Sequence, residues 1–337
     1  MSAKKIDVSI VIPVYNGGEA LGRVVEKILR ENRISLELIV VNDGSTDTTA
    51  EILHAISDPR LVVIHQENQG VYAARNAGIA RRRGDWLILL DADDDFSEDM
   101  IYTRFCEATR LDVDVYIANG ERGDLRDCGS RRGVHSHQQY HRIMNGTGWL
   151  RHAVSVREWP HYLWLQIIRS DYIEKLQLRF EAGSSHKDIL WTAALALGNG
   201  RFYLSDKPDY LYCTNHASIT RSNKYYDSRT LSYVDVISQL IRWANNPQYH
   251  DVKRALLIHA LEETRHFYGM YRKKTKDKPY ARAQFCQHIR FIDLLKGVNS
   301  ARKLWFLLRF YITLGLTRRT TSSPATDCDS NSPERFH

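Results

Sequence analysis

Long apolar runs and closely spaced cysteines are missing from this sequence. The 337 residues include five cysteines and no CxxC pair, which argues against a disulfide framework or a zinc site and fits a reducing cytoplasm. No stretch offers the run of about 18 apolar residues that a transmembrane helix needs, so none is expected. The first apolar run ends at Pro13 and is too short for a signal peptide.

An excess of negative charge is also missing. The formal net charge is +7, which indicates an acidic partner such as a nucleic acid, an anionic membrane or a phosphorylated substrate. No nucleic-acid-binding module is recognisable, so we expect no nucleic-acid partner. A composition of 43% hydrophobic and 26% charged residues is typical of a globular domain with a substantial core.

The first hundred residues alternate between two patterns. Short apolar runs predict strands at 8–14, 36–41, 61–65 and 86–90. Helical periodicity predicts helices at 20–32, at 46–56 with Ser45 or Thr46 as the N-cap, and at 71–82, closed by Gly84. Buried strands that alternate with helices indicate an α/β fold with a parallel sheet, in which ligands bind at the carboxyl ends of the strands.

The pattern changes after residue 112. Residues 120–147 predict a loop over an active site or facing an acceptor, a helix begins near Asp188, and 228–275 and 280–314 read as mainly helical. We therefore expect a domain at 1–222 with halves 1–112 and 113–222, a helical region at 223–319 and a disordered tail at 320–337.

Asp91-Ala92-Asp93-Asp94-Asp95 follows directly after an apolar run. A solvated acidic turn is the ordinary interpretation, and a phosphatase with an aspartyl nucleophile is a second. An EF-hand is excluded because Phe96 and Tyr102 stand where glycine and glutamate are required. At the end of a buried strand, carboxylates suit Mg²⁺ or Mn²⁺, which can bridge phosphates.

The turns after the first two strands also carry polar residues. Asp43 belongs either to a turn with Gly44 at positive φ or to a site that accepts hydrogen bonds from a nucleobase. No GxGxxG follows the first strand, which argues against a dinucleotide-dependent oxidoreductase.

The combination of "IPVYN", "VVNDGSTD", "NQGVYAARNAG" and "LLDADDD" resembles the nucleotide-sugar-binding half of the inverting family 2 glycosyltransferases. The resemblance implies a GT-A fold, a doubly wound and mostly parallel α/β sheet with a helical C-terminal extension. It also implies a UDP-sugar donor and a divalent metal, Mn²⁺ or Mg²⁺. The implied donor-binding residues are Pro13, Tyr15 and Asn16 in the nucleotide pocket, Asp43 at the uracil, Arg75 and Asn76 near the ribose and diphosphate, and Asp91 with Ala92 beside the metal ligand Asp93.

The family also has a general base, and "SSHKDILWT" resembles the segment that carries it. Asp188 stands at the position of the base. Lys187 precedes it where the family pattern has glutamate, and we expect this cation to favour the ionised carboxylate. Downstream, "YLYCTNHASITRS" resembles the segment that closes over the diphosphate, which makes His216 a candidate metal or phosphate contact, together with Ser218, Thr220 and Arg221.

The middle of the chain resembles one subgroup more narrowly. "WLRHAVSVREWPHYLW", "IIRSDYI" and "FEAGSSHKDILWT" are similar to enterobacterial lipopolysaccharide-core enzymes that add a hexuronic acid to a heptose. The residues that carry this resemblance are Arg157, Trp159, His161, Trp164 and Arg169. The tryptophans also fit a core role, and the arginines fit pairing with internal acids. An exopolysaccharide or O-antigen transferase and a non-catalytic nucleotide-sugar-binding protein remain alternatives.

Residues 296–319 contain six basic residues and no acidic one. A helix lying on anionic lipid at the cytoplasmic face of the inner membrane explains this composition. A helix packed on the domain, with its cations in solvent, explains it as well. The lipid-linked saccharide acceptor that the resemblance implies favours the peripheral membrane contact.

Overall fold

The computed structural model describes residues 5–124, 127–181, 185–213 and 223–315. The chain separates into two compact units, Met1–Val298 and Asn299–His337, and each is described by itself. The first unit contains the sheet and all candidate site residues that lie within the described ranges.

In the described part of the chain, ten strands form one sheet. The strands are Val8–Val14 (β1), Leu36–Asp43 (β2), Leu61–Gln66 (β3), Trp86–Leu89 (β4), Asp95–Phe96 (β5), Val115–Asp124 (β6), Asp127–Gly133 (β7), Ile143–Asn145 (β8), Gln166–Arg169 (β9) and Arg201–Cys213 (β10). Their spatial order is β3-β2-β1-β4-β9-β6-β10-β5, with β7 beside β6 and β8 beside β10.

Most of these strands run in one direction. β1 to β4 are parallel neighbours, β9 is antiparallel to both β4 and β6, and β10 is parallel to β6. The sheet is therefore mixed but mostly parallel, as the sequence predicts. Every residue of β1 is buried, which explains its mostly apolar sequence, and the one polar side chain of β1, Ser9, donates to Glu37 at 2.6 Å.

The helices of the first unit are Gly18–Leu29 (α1), Thr49–Ala55 (α2), Val71–Arg81 (α3), Met100–Arg110 (α4), Gly146–Val156 (α5), Ser170–Lys175 (α6), Lys187–Leu197 (α7), Asn223–Asn245 (α8), Lys253–Lys273 (α9), Lys278–His288 (α10) and Phe291–Leu295 (α11). α3 packs directly against β1 at Gly78, where a Cβ atom would come within 2.3 Å of the Val11 side chain. This close approach holds the polar face of α3 near the ends of the strands.

The second unit contains α12, Ala301–Thr313. Its side chains Trp305 and Ile312 are 68% and 67% exposed, and Leu304 and Leu308 are 38% and 42% exposed. Their spacing places these four residues on one side of the helix. Among the residues that the structure describes, no helix combines the length and apolar character needed to cross a bilayer.

Two sequence predictions about local structure are wrong. α2 begins at Thr49 with Thr48 at its N-cap, because the predicted cap residue Ser45 instead accepts a hydrogen bond from the backbone N–H of Asn16 at 2.9 Å. Residues 120–147 are not a continuous loop, since they include the end of β6, β7 and β8. β7 pairs antiparallel with β6, and its Gly- and Arg-rich sequence has no apolar alternation to indicate a strand.

Candidate functional site

The site is built at the carboxyl edge of the parallel strands. β1 lies between β2 and β4, so the turns after these three strands meet there. Asn16, at φ 56, connects the first two turns: its Oδ1 accepts the backbone N–H of Thr46 at 2.8 Å. Asparagine tolerates this left-handed conformation better than most residues. Pro13 is buried in β1, whereas Tyr15 is 41% exposed.

Asp43 ends β2 and is 3% exposed. Its carboxylate accepts hydrogen bonds from Gln66 Nε2 at 2.7 Å and from the backbone N–H groups of Gln69 and Gly70 at 2.9 and 2.8 Å. The next residue, Gly44, has φ 75, which confirms the predicted turn. A carboxylate can accept about four hydrogen bonds, so Asp43 can hold the loop after β3 and still accept one from a ligand.

A buried cation lies beside the first residue of the acidic cluster. Arg75 on α3 is 8% exposed and donates from Nη2 to Asp91 Oδ1 at 2.8 Å. Its guanidinium also lies over the rings of Tyr72 and Phe180, at 5.6 and 5.8 Å from their centroids. Arg75 therefore contacts Asp91 at the end of β4, where sequence analysis predicts the donor diphosphate.

The acidic cluster divides among different partners. Asp94 is buried and accepts the hydroxyl of Tyr210 at 3.0 Å, and Asp95 pairs with Lys27 at 2.6 Å. Asp93 is exposed and contributes, with Lys27, to the lining of a cavity of about 330 Å³. The surface cavity and the exposure of Asp93 leave its carboxylate open to solvent.

The cluster also affects β10. Burial raises the pKa of Tyr212, and the negative charges of Asp94, Asp91 and Asp93 raise it further. All three carboxylates therefore lie close enough to the Tyr212 hydroxyl, near the end of β10, to act on it electrostatically. Ala92 lies within this cluster and packs near the turn after β1, 3.9 Å from a Cβ built on Gly17.

The donor atoms of the cluster fit a hard divalent cation, because exposed carboxylate oxygens are the ligands that Mg²⁺ and Mn²⁺ prefer. Within the described ranges, no group of three or more His, Cys, Asp or Glu side chains is arranged as a complete metal site. The second predicted metal contact, His216, lies outside the described residues, as do Ser218, Thr220 and Arg221.

Asp188 is the second residue of α7. Its neighbour Lys187 is buried, and the Lys187 ammonium lies 3.3 Å from Asp235 and 3.7 Å from Glu181. These two carboxylates compensate the positive charge of Lys187, which sequence analysis predicts to act on Asp188. His161 faces Asp188, and its Nε2 lies 3.5 Å from Asp188 Oδ2.

Hydrogen bonds connect α7 to the donor side of the site. The backbone N–H of Lys187 donates to Tyr72 Oη at 3.0 Å. Asn76 bonds Phe180 through both polar atoms: Nδ2 donates to the carbonyl at 2.8 Å and Oδ1 accepts the N–H at 2.9 Å. α3 therefore contacts both the start of α7, which carries Asp188, and Asp91 at the end of β4. Sequence analysis did not nominate Tyr72, Phe180 and Tyr210, although all three lie in the quoted motifs, because their contacts with Arg75, Lys187 and Asp94 are made only in the fold.

The other residues that carry the narrower resemblance mostly have structural contacts. Trp164 is 4% exposed and stacks on Tyr210 at 4.3 Å. Arg169 pairs with Asp112 at 2.9 Å, and the ring of Trp159 lies 4.5 Å from that of His259. Arg157 ends α5 in a left-handed conformation, φ 60. The core role of Trp164 and the internal pairing of Arg169 agree with the structural alternatives that their sequence left open.

Solved structures define the fold class. Staphylococcus aureus TarS 1-349, crystallised with UDP-GlcNAc, superposes with a TM-score of 0.69 at 18% identity over 92% of this chain and 89% of that chain. The mannosyltransferase PcManGT from Pyrobaculum calidifontis, solved with GDP-Man and Mn²⁺, gives 0.54 at 15% identity over 94% and 87% of the two chains. The architecture is thus the GT-A type with a helical C-terminal region.

The sequence then identifies the family. Residues 9–154 match the profile described as "Glycosyl transferase family 2", so the chain contains a family 2 glycosyltransferase domain. Similar proteins include the "Uncharacterized glycosyltransferase YibD" of Escherichia coli K12, 31% identical over 67% of this chain. Another is the "Succinoglycan biosynthesis protein ExoO" of Rhizobium meliloti, 32% identical over 64% of this chain. The matches span 66% of YibD and 63% of ExoO, so both relatives extend beyond the shared region.

Proposed function

We propose that this protein is an inverting, metal-dependent glycosyltransferase that moves a hexuronic acid from a UDP-sugar to a heptose of the lipopolysaccharide core. The observation that carries the proposal is the grouping at one sheet edge. Asp43 ends β2, Asp91 and Asp93 follow β4, and these two strands lie parallel to β1 on either side of it. α3 links Asp91, through Arg75, to the segment that begins α7 and carries Asp188. TarS with UDP-GlcNAc supports a uridine diphosphate donor on this fold.

The chemistry follows from the assigned residues. Asp43 accepts a hydrogen bond from the uracil, with Pro13, Tyr15 and Asn16 around the nucleotide. Arg75 and Asp91, which are hydrogen-bonded to each other, lie beside the ribose and diphosphate. Asn76 holds the backbone of Phe180 next to Arg75. A divalent cation held by Asp93 and His216 would supply positive charge that makes the diphosphate a better leaving group.

Asp188 acts as the general base. It removes the proton from an acceptor hydroxyl, whose oxygen then attacks the anomeric carbon from the face opposite UDP. A single displacement inverts the configuration, and the bonding electrons of the departing C–O bond leave with UDP. No covalent enzyme intermediate is required.

The first experiment measures UDP release with a panel of UDP-sugars, including UDP-glucuronate, UDP-galacturonate, UDP-glucose and UDP-galactose, with and without Mn²⁺ or Mg²⁺. We expect metal-dependent release that is fastest with a hexuronate. The variant D188N should lose transfer, by about 10²-fold or more, and still bind UDP. Equal loss of binding and transfer would contradict the role of Asp188, and a D188N protein with full activity would exclude it.

Two other functions are tested by the same panel. Similarity to ExoO favours, as an alternative, a transferase of exopolysaccharide or O-antigen repeat units, for which a neutral UDP-hexose would be the fastest donor. A non-catalytic nucleotide-sugar-binding protein would bind UDP-sugars without releasing UDP. Masses of the core oligosaccharide from a deletion strain would then identify the acceptor.

The acceptor in this proposal is a lipid-linked saccharide, and the protein works in the cytoplasm at the inner-membrane face. α12 supports the peripheral contact, because its exposed apolar residues Trp305 and Ile312 lie beside the exposed cations Arg302 and Arg309. A helix with aromatic and cationic residues side by side suits the interface of an anionic bilayer.

A further inference from the structure

His161 faces the proposed base, and its hydrogen bonds determine which of its ring nitrogens carries a proton. Nδ1 lies 2.7 Å from the carbonyl oxygen of Trp159. A carbonyl oxygen accepts and never donates, so Nδ1 must carry the hydrogen. In the neutral ring, Nε2 then has a free lone pair, and this atom is 3.5 Å from Asp188 Oδ2.

The ring is held in this orientation from several sides. The Trp159 carbonyl also accepts the backbone N–H of His161 at 2.8 Å, and the Tyr162 ring stacks on the imidazole with centroids 4.6 Å apart. Thr192, one turn after Asp188 on α7, donates to the His161 carbonyl at 3.4 Å. One face of α7 thus positions both Asp188 and His161.

We propose that His161 is the proton acceptor that returns Asp188 to its ionised form during each turnover, a role that rests on the proposed function of Asp188 as the base. The acceptor O–H bond breaks and its proton moves to Asp188 while the new C–O bond forms and the bond to UDP breaks. The proton then passes from Asp188 Oδ2 to Nε2 of His161 and from there to water. The imidazolium keeps its bond to Trp159 and donates to the Asp188 carboxylate, so neither side chain has to reorient.

The surrounding charges favour this transfer. Glu263 on α9 is buried, and its pKa, although raised by burial, is lowered overall by its hydrogen bond to His259 and by nearby histidines that include His161. An ionised Glu263 stabilises a positive charge on His161. His186, which precedes α7, has its pKa lowered to about 3, by burial first and then by Arg229, so His186 is neutral and does not oppose that charge.

His161 also lines a cavity of about 300 Å³. The other titratable and charged groups that line it are His135, Tyr162, Arg122 on β6, Arg157 and Glu158 at the end of α5, and His259, Glu262, Glu263 and His266 on α9. Burial lowers the pKa of His135 and raises the pKa of Tyr162, so both side chains stay neutral near pH 7. Glu158 has its pKa lowered to about 2, because its bonds to His137 and Ser136 outweigh burial, and it stays ionised throughout the neutral range. The two arginines keep their charge at every relevant pH. The charges of Glu158 and of both arginines are therefore constant near neutral pH, and the pH dependence that the relay predicts comes from proton uptake by His161.

The test compares UDP release by wild type, H161Q and H161N, with the UDP-sugar of the panel that wild type turns over fastest, in Mn²⁺ from pH 5 to 9. Because the relay needs neutral His161, wild-type kcat should rise as the pH increases across this range. In H161Q and H161N, kcat should fall roughly ten- to hundredfold with KM within about twofold of wild type, and the rising limb should disappear. H152Q, which changes a histidine bonded to the His137 carbonyl, is the matched control. It should keep the wild-type kcat and the rise of kcat with pH.

Several outcomes would overturn the relay. One is a wild-type rate in H161Q. Another is a loss of equal size at every pH with the limb retained, which would indicate a structural role. A third is full recovery in H161N, whose amide can replace the bond to Trp159 and cannot take up a proton. If wild type releases no UDP, the proposed function fails, and if D188N is as active as wild type, the role of Asp188 on which the relay rests fails. Both results differ from an active H161Q beside an inactive D188N, which overturns the relay alone.

Discussion

The Asp43 carboxylate performs two tasks in the proposed site. It accepts three hydrogen bonds from Gln66 at the end of β3 and from Gln69 and Gly70 in the loop that follows, and it is proposed to accept another from the uracil. We expect D43A to lower the free energy of unfolding by roughly 2–4 kcal/mol, since buried donors lose their acceptor. D43N, which keeps one oxygen, should lose less stability. Urea unfolding curves measure the stability of both variants.

The same two variants should bind UDP at least about tenfold more weakly, as measured by titration calorimetry, because each loses charge or acceptors at the uracil. Gln66→Ala is the matched control: it removes one partner of Asp43 in the loop and leaves the carboxylate in place. UDP affinity in D43N equal to that of wild type would contradict the assignment of Asp43 to the nucleobase.

Asp93 and Asp95 are two residues apart, and we predict different losses from their removal. D93A should weaken UDP binding about tenfold or more in the presence of Mn²⁺ and abolish the stimulation by Mn²⁺, because it removes the proposed metal ligand. D95A should bind UDP and Mn²⁺ as wild type does and lose within about 1 kcal/mol of stability, because its pair with Lys27 is partly exposed. Calorimetric titration of UDP at increasing MnCl₂ distinguishes the two. Equal metal dependence in both variants would argue against Asp93 as the ligand.

At the scale of elements, the N-terminus of α7 should make stability depend on pH. Burial and the charge of Arg229 lower the pKa of His186 to about 3, and Arg229 Nε donates to His186 Nε2 at 2.7 Å, a bond that protonation would break. In the unfolded chain this histidine titrates near pH 6.5. The unfolded state therefore binds the extra proton between about pH 6.5 and 3, and stability falls as the pH falls.

His186 alone should lower the free energy of unfolding by about 2 kcal/mol between pH 7 and pH 5. H186N removes the titration and suits the left-handed backbone of this residue, φ 60. The difference in unfolding free energy between pH 7 and pH 5 should therefore be smaller in H186N by about that amount. H152Q, a substitution away from α7, should keep the wild-type difference. An unchanged pH dependence in H186N would show that the neutral state of His186 does not contribute.

The same elements show how far sequence reasoning reaches. β1 to β4 and α3 could be predicted to within about two residues, because short apolar runs bounded by turn residues and an alanine-rich helical segment leave local signals. β7 could not, since a Gly- and Arg-rich strand is formed by pairing with β6, which no local pattern records. Asp43, Asp91, Asp93 and Asp188 could be nominated from their motifs. Their pairings could not be predicted, even though Arg75 and His161 also lie in quoted motifs, because Gln66, Arg75 and His161 meet these carboxylates only through the fold. The roles of all of these residues stay predictions.

At the scale of the whole molecule, the net charge of +7 and the exposed apolar side of α12 predict binding to anionic bilayers. Wild type should co-sediment with vesicles that contain phosphatidylglycerol and much less with pure phosphatidylcholine. Replacing both Arg302 and Arg309 by Gln should weaken this binding by about 2 kcal/mol, or roughly thirtyfold, because each cation near the surface contributes about 1 kcal/mol. The loss should shrink at high salt.

The apolar part of the contact is tested by W305E, which places a carboxylate on the most exposed aromatic residue of α12, 68% exposed. A charge there opposes insertion into the interface and adds repulsion from anionic lipid, so sedimentation with the vesicles should be lost. Y280E is the matched control, because Tyr280 on α10 is also exposed, at 51%, and lies outside α12. If W305E and Y280E both bind as wild type does, α12 is not the membrane contact. If Y280E loses as much binding as W305E, general charge rather than this helix attracts the protein to the lipid. Loss in W305E with UDP release unchanged would separate membrane contact from the chemistry of the site.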